Sequence, residues 1–146
     1  MRTTQLRLLF IQLRRVESRL RGHLDSLLMS ELGLVVGQFE VLSVINSREG
    51  CQVRDIADVL SLTTGGVSKL VDRLESAGLC RRRPNADDRR STIIGLTPEG
   101  RTLLSQASET VEAALRAEIG SALSPSSLRQ LAALLEALGD GTTLGT

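Results

Sequence analysis

The chain has 146 residues, of which 41% are hydrophobic and 24% charged, with a net charge of +1; these values favour one globular domain and exclude a disordered or collagen-like chain. No apolar run approaches the ~20 residues of a membrane span, and Arg7, Arg14 and Arg15 interrupt the first apolar stretch, which therefore does not read as a signal peptide. The expectation is a cytoplasmic protein with no membrane partner. Two cysteines and one histidine supply too few groups for a disulfide scaffold, a zinc site or a nucleophile–base pair, so no metal, no cofactor and no enzymatic activity are expected.

Leu6, Leu9, Phe10, Leu13, Val16, Leu20, Leu24, Leu27 and Leu28 recur at steps of three and four, which predicts a long helix over about residues 4–29 with a single apolar stripe. A linker with Gly33 follows. Phe39, Val41, Leu42 and Ile45 mark a second helix over about residues 36–46, and Ile56, Ala57 and Leu60 a short third one over residues 53–60. Thr63-Thr64 offers an N-cap for a fourth helix, in which Val67, Leu70, Val71 and Leu74 repeat at helical spacing, and Gly78 suits the position that closes it.

The period then changes. Residues 79–83 and 91–96 read as two short strands, and the stretch from Pro84 to Arg90 between them is turn chemistry with charge. Thr97-Pro98-Glu99 restarts helix, with a Thr cap, Pro at the first helical position and an acid near the positive dipole end. A fifth helix carries Leu103 through Ile119. Ser124-Pro125 starts a sixth, with Leu128, Leu131, Leu134, Leu135 and Leu138 as its stripe, and residues 139–146 form a Gly/Thr-rich tail.

Charge is concentrated where the hairpin and the fourth helix lie: residues 63–91 hold seven basic and four acidic groups. The order of the elements gives a fold class that is mainly α with a small β-wing, a winged helix-turn-helix. Such a fold places its second helix in the major groove of double-stranded DNA, N-terminal residues toward base edges, while the first helix braces it. The probing face is Thr63, Thr64, Gly65, Gly66, Ser68, Lys69 and Arg73, with Val67, Leu70, Val71 and Leu74 turned inward. Arg54, at the start of the third helix, is a candidate backbone contact. In Arg81-Arg82-Arg83 alternate residues face opposite sides, so at most two point at DNA; Arg82 is counted among the contacts. A winged-helix module for protein–protein contact is the competing reading, although such a module has no need of basic residues at a turn tip. Cys51 falls beside the wing strands that begin at Cys80, and buried small hydrophobe or redox pair are the two readings of these thiols, the first being the commoner fate.

The run from Ile56 to Thr63, the run from Val67 to Glu75, Gly78-Leu79 and the run from Leu96 to Gly100 together resemble the MarR family of bacterial transcription regulators. The family's wing signature, D-x-R followed after five residues by L-T, is met by Asp88, Arg90, Leu96 and Thr97. The resemblance covers about residues 5–139. It implies a homodimeric repressor with N- and C-terminal dimerisation helices, in which residues 1–30 and 98–139 build the dimer lobe and residues 36–97 read a pseudo-palindromic operator. It also implies that Arg90 contacts DNA, with Arg89 an added candidate, and that Asp88 orders the wing base by pairing with basic side chains.

The Thr64-Gly65-Gly66 opening departs from the side chains often found there in the family. Early-turn positions where Gly costs little, and close approach of backbone N–H groups to phosphate, both account for it. Some family members bind anionic aromatic ligands between the two lobes. A small-molecule effector held by Arg15, Arg19, His23 and Phe39 is the corresponding expectation here, against solvent exposure of the first three and core packing of Phe39. With no Trp and no Tyr, an aromatic stacking cage is poorly furnished.

Overall fold

The apolar periodicities resolve into six α-helices and one hairpin in a computed structural model that describes residues 3–139. In chain order these are α1 (Thr3–Leu32), α2 (Val36–Ser47), α3 (Val53–Leu60), α4 (Thr64–Ser76), β1 (Cys80–Pro84), β2 (Thr92–Leu96), α5 (Pro98–Leu115) and α6 (Pro125–Leu138). The fold is thus mainly α with a small wing, and the expected elements appear within a few residues of their expected bounds. Beyond Gly139, the tail lies outside the described residues. The fifth helix, expected to continue to Ile119, instead widens into a π-helical turn over Arg116–Gly120.

The starts of the helices follow their capping chemistry. Thr63, Thr97 and Ser124 are extended residues whose hydroxyls accept from the backbone N–H of Gly66, Gly100 and Ser127, each removing one of the donors a helix start leaves open. The start of α2 is served from another helix: the Val36 N–H donates to Asp25 Oδ1 of α1 at 2.7 Å. Arg21 of α1 adds a guanidinium contact to Glu40 of α2 at 2.7 Å. These two ties hold α1 and α2 across a bend of 82°. No single described helix is long and apolar enough to cross a membrane.

The hairpin is antiparallel, with Cys80 opposite Leu96 and Pro84 opposite Thr92. Cys51 adds a bridge to Ile94 on the free edge of β2, its carbonyl accepting from the Ile94 N–H at 2.7 Å. The core lies under this sheet. Val67, Val71 and Leu74 of α4 are fully buried with Ile56 of α3 and Val41, Leu42 and Val44 of α2. Leu104, Ala107, Val111 and Ala114 of α5 and Leu24 and Leu28 of α1 close it from the other side.

The first half of α1 and all of α6 do not join that core. Phe10 is 67% and Leu138 71% exposed, and Leu6, Leu9, Leu13, Val16, Leu134 and Leu135 are exposed as well. The sequence stripe on α1 therefore serves two purposes: its C-terminal third packs within the chain, and its N-terminal part faces outward.

At the junction of α4, β1 and α5 the backbones nearly touch. A Cβ placed on Gly100 would overlap the carbonyl oxygen of Leu79. That oxygen also accepts from the Thr97 N–H at 3.1 Å, so it cannot withdraw without breaking the join. Gly100→Ala is expected to lower stability by about 3 kcal/mol, the upper range for overpacking a fixed site, read as a fall in the thermal unfolding midpoint with the helical signal otherwise native.

Candidate nucleic-acid interface

The turn between α3 and α4 is tight because Ser61 takes a left-handed conformation (φ 53°) and the Leu62 N–H returns to the Ala57 carbonyl. It sets α4 with three apolar side chains inward and one polar face outward. Thr64, Gly65, Gly66, Lys69 and Arg73 are exposed on that outer face, Thr63 is exposed at its cap, and Ser68 is half-buried. At Gly65 an added side chain would meet open space, whereas at Gly66 it would crowd the Thr63 hydroxyl at 3.1 Å. Gly66 thus keeps the cap intact, and Gly65 leaves the first turn bare, with backbone N–H groups accessible at a helix start where anions are favoured. Arg54 is exposed at the first turn of α3.

The wing tip is shaped by two side-chain turns. Asn85 Oδ1 accepts from the Asp87 N–H at 3.0 Å, and Asp88 Oδ1 accepts from the Arg90 N–H at 3.0 Å. The Asp88 carbonyl also receives the Ser91 N–H and hydroxyl, both at 3.0 Å. Asp88 folds the wing's own backbone, and the pairing with basic side chains that the resemblance implies is not among its contacts in the described residues. Arg89 and Arg90 are exposed on the resulting tip. Lys69, Arg73, Arg89 and Arg90 form no ion pair among the described residues, so the outer face of α4 and the wing tip present unneutralised cations.

The structure turns Arg82 the other way. It shares the inner side of β1 with Cys80, and its Nη1 lies 2.8 Å from Asp72 Oδ1 and 3.1 Å from Glu75 Oε1 of α4. Its Nη2 donates to the Ser68 carbonyl at 3.3 Å, and its backbone N–H to Glu75 Oε2 at 2.7 Å. Strand alternation explains the correction: Cys80 is buried under the sheet, so Arg82, two residues on, points to the same helix. Arg82 braces the wing against α4 instead of reaching DNA. The Arg82 backbone N–H, joined by the guanidinium, holds the Glu75 carboxyl below the usual carboxylate range.

Cys51 and Cys80 are both buried, with free thiols. Burial pushes each thiol up to about 11, far from the thiolate that reacts with oxidants. Cys80 Sγ instead lies 3.8 Å from the Val71 carbonyl of α4.

The residues expected to hold an effector divide. Arg19 and His23 converge on Glu118 of the π turn, at 3.3 and 3.9 Å. Arg15 stays exposed on α1, and Phe39 packs half-buried against the core. Arg21, which sequence reasoning passed over, is the α1 arginine that reaches α2.

A short brace helix, a capped and exposed second helix and a basic wing define a winged helix-turn-helix protein. The family model described as MarR family matches residues 34–92. HTH-type transcriptional regulator MgrA of Staphylococcus aureus is 33% identical over 105 residues, 70% of this chain and 67% of that protein. Multiple antibiotic resistance protein MarR of Salmonella typhimurium is 32% identical over 78 residues, 53% of this chain. The chain spans about half the length of that relative. Among solved structures, CouR from Rhodococcus jostii RHA1, bound to p-coumaroyl-CoA, superposes with TM-score 0.83 at 29% identity over 92% of this chain and 94% of that one. Sco3205 from Streptomyces coelicolor, a MarR family transcriptional regulator in complex with DNA, shares the fold with TM-score 0.86 over 97% of this chain and 89% of that one, at 22% identity. The chain belongs to the MarR family.

Arg82→Ala is expected to cost about 1–2 kcal/mol, since one guanidinium serves two carboxylates and a carbonyl in a partly exposed setting, and to speed hydrogen exchange in the hairpin ahead of the helices. Because the Glu75 carboxyl titrates lower folded than its unfolded value near pH 4.3, its contribution is complete above that pH. It disappears as pH falls through the folded value, so the difference between parent and variant should shrink in acid. Iodoacetamide at neutral pH should leave both thiols of the native protein unlabelled and mark two in denaturant, read by mass spectrometry.

Proposed function

We propose that the protein is a sequence-specific regulator of transcription that binds double-stranded DNA as a homodimer and acts as a repressor at a pseudo-palindromic operator. The observation that carries this reading is the unneutralised cationic face shared by α4 and the wing tip. Thr63, Thr64, Gly65, Gly66, Ser68, Lys69 and Arg73 present themselves to a major groove, and Arg89 and Arg90 to the adjoining backbone or minor groove, with Arg54 beside them. Arg side chains suit this because their planar fork matches phosphate and guanine edges.

The exposed apolar stripes of α1 and α6 support the homodimer. Contiguous apolar surface on a chain otherwise well packed marks an interaction site, and a second copy offers the same stripes in a two-fold arrangement. Residues 1–30 and 98–139 then form the joined arm, and residues 36–97 the reading lobe. A dimer of this kind sets its two recognition helices roughly 34–36 Å apart, one turn of DNA. The ligand in CouR supports an effector for this chain too, with Arg19 and His23 at Glu118 as the place where the arm's charges already converge.

Selection of bound duplexes from a random pool tests the reading: an inverted repeat is expected, bound with an affinity that falls steeply with salt. Arg90→Ala should weaken binding across sequences and reduce the salt slope by about 1, as for one lost phosphate contact, whereas Lys69→Ala or Arg73→Ala should shift the selected sequence. Recovery of no preferred duplex would overturn the proposal.

A further inference from the structure

The three consecutive arginines of β1 meet opposite fates. Arg82, on the inner side, is neutralised by Asp72 and Glu75. Arg81 and Arg83, on the outer side, are exposed and form no ion pair among the described residues. They line a cleft of about 900 Å³ between the outer face of the hairpin, the loop after α2 and the start of α5. Arg48 enters from that loop and Arg101 from α5, and Glu49 is the single carboxylate in the lining. Arg48 keeps Asp55 only at 3.9 Å, and Arg101 uses Nη1 on the Leu96 carbonyl at 3.1 Å. Opposite Arg81 in the hairpin stands Gly95, where an added Cβ would meet open space. The floor of the cleft is therefore backbone, open to close approach.

Four guanidinium groups from three separated stretches of chain border one concavity whose lining holds one carboxylate, with Asp55 beside Arg48 outside it, and this excess of positive charge favours an anion. Guanidinium forks match phosphoryl oxygens two at a time, and the volume lies in the range of ligand clefts. We propose that this cleft, on the side of the wing turned away from α4, binds phosphoryl groups. Two sources present that chemistry: a free phosphorylated small molecule, and the backbone of DNA running past the wing contact.

The test uses the full chain and the double variant Arg81→Gln/Arg83→Gln, which keeps side-chain bulk and leaves Arg82, the wing tip and α4 untouched. Inorganic pyrophosphate is titrated calorimetrically at matched ionic strength. In parallel, binding is measured to the selected operator, trimmed to minimal length or extended by about ten base pairs on each side, one further turn. A free ligand predicts that the parent binds pyrophosphate and the variant does so at least about tenfold more weakly, the loss expected for charged hydrogen bonds. Flanking DNA predicts that the parent prefers the extended duplex, and that the variant loses this preference and about 2 units of its salt slope while binding the minimal duplex as the parent does. A parent that shows neither behaviour, or a variant that keeps both, overturns the proposal. Arg90→Ala run alongside separates the two readings, because it weakens both duplexes and leaves pyrophosphate binding intact. If no duplex binds at all, the proposed function fails, and the pyrophosphate titration alone decides the cleft.

Discussion

One threonine holds the reading lobe to the rest of the molecule. The Thr97 hydroxyl donates to the Gly78 carbonyl at 2.6 Å and accepts from the Gly100 N–H at 3.0 Å, while its own N–H donates to the Leu79 carbonyl at 3.1 Å. A single residue thus closes the turn after α4, ends β2 and caps α5. Thr97 is buried, and a buried polar group stranded without its partners costs about 1–3 kcal/mol, so these bonds hold in any arrangement that keeps the junction closed. The L-T pair of the wing signature has a mechanical meaning as a result. It joins the end of α4, the hairpin and the start of α5 through one residue, with Gly100 permitting the contact that makes the joint short.

Much of this fold is legible in the amino-acid order because its rules are local. Thr63, Thr97 and Ser124 announce their helices through hydroxyl caps, and the alternation around Pro84 to Arg90 announces the hairpin. What is not legible is what depends on a distant chain segment. The N-cap residue of α2, Val35, has no side-chain acceptor to offer, and the Val36 N–H takes Asp25 from α1; no spacing rule links residues 25 and 36. The π turn at Arg116–Gly120 falls inside a stretch that periodicity reads as unbroken helix, since Ile119 continues the apolar series.

The interface shows the same division. The outward face of α4 follows from the inward series Val67, Val71 and Leu74, because a helix with one buried face has a defined opposite one. The parity of the β1 arginines was available too, since Cys80 is the apolar member that faces the helix. Three identical side chains in a row nevertheless hide it, since they carry no contrast of their own. The partner of Asp88 is not legible from the wing signature, because a short carboxylate in a tight turn reaches its neighbours' N–H groups first. For α1, sequence gives an apolar stripe but not which part is satisfied within the chain, because burial by one's own fold and by another molecule demand the same residues.

The bond from Asp25 to the first turn of α2, with Arg21 on Glu40, makes α1 a crank. Its N-terminal half stands exposed, whereas its inner end is bolted to the element against which α4 packs. A change in the angle of α1 therefore has a direct route to α2 and, through the shared core, to α4. In the proposed homodimer, whatever the exposed leucines of α1 grip would bear on the angle of α2 and hence on the placing of α4.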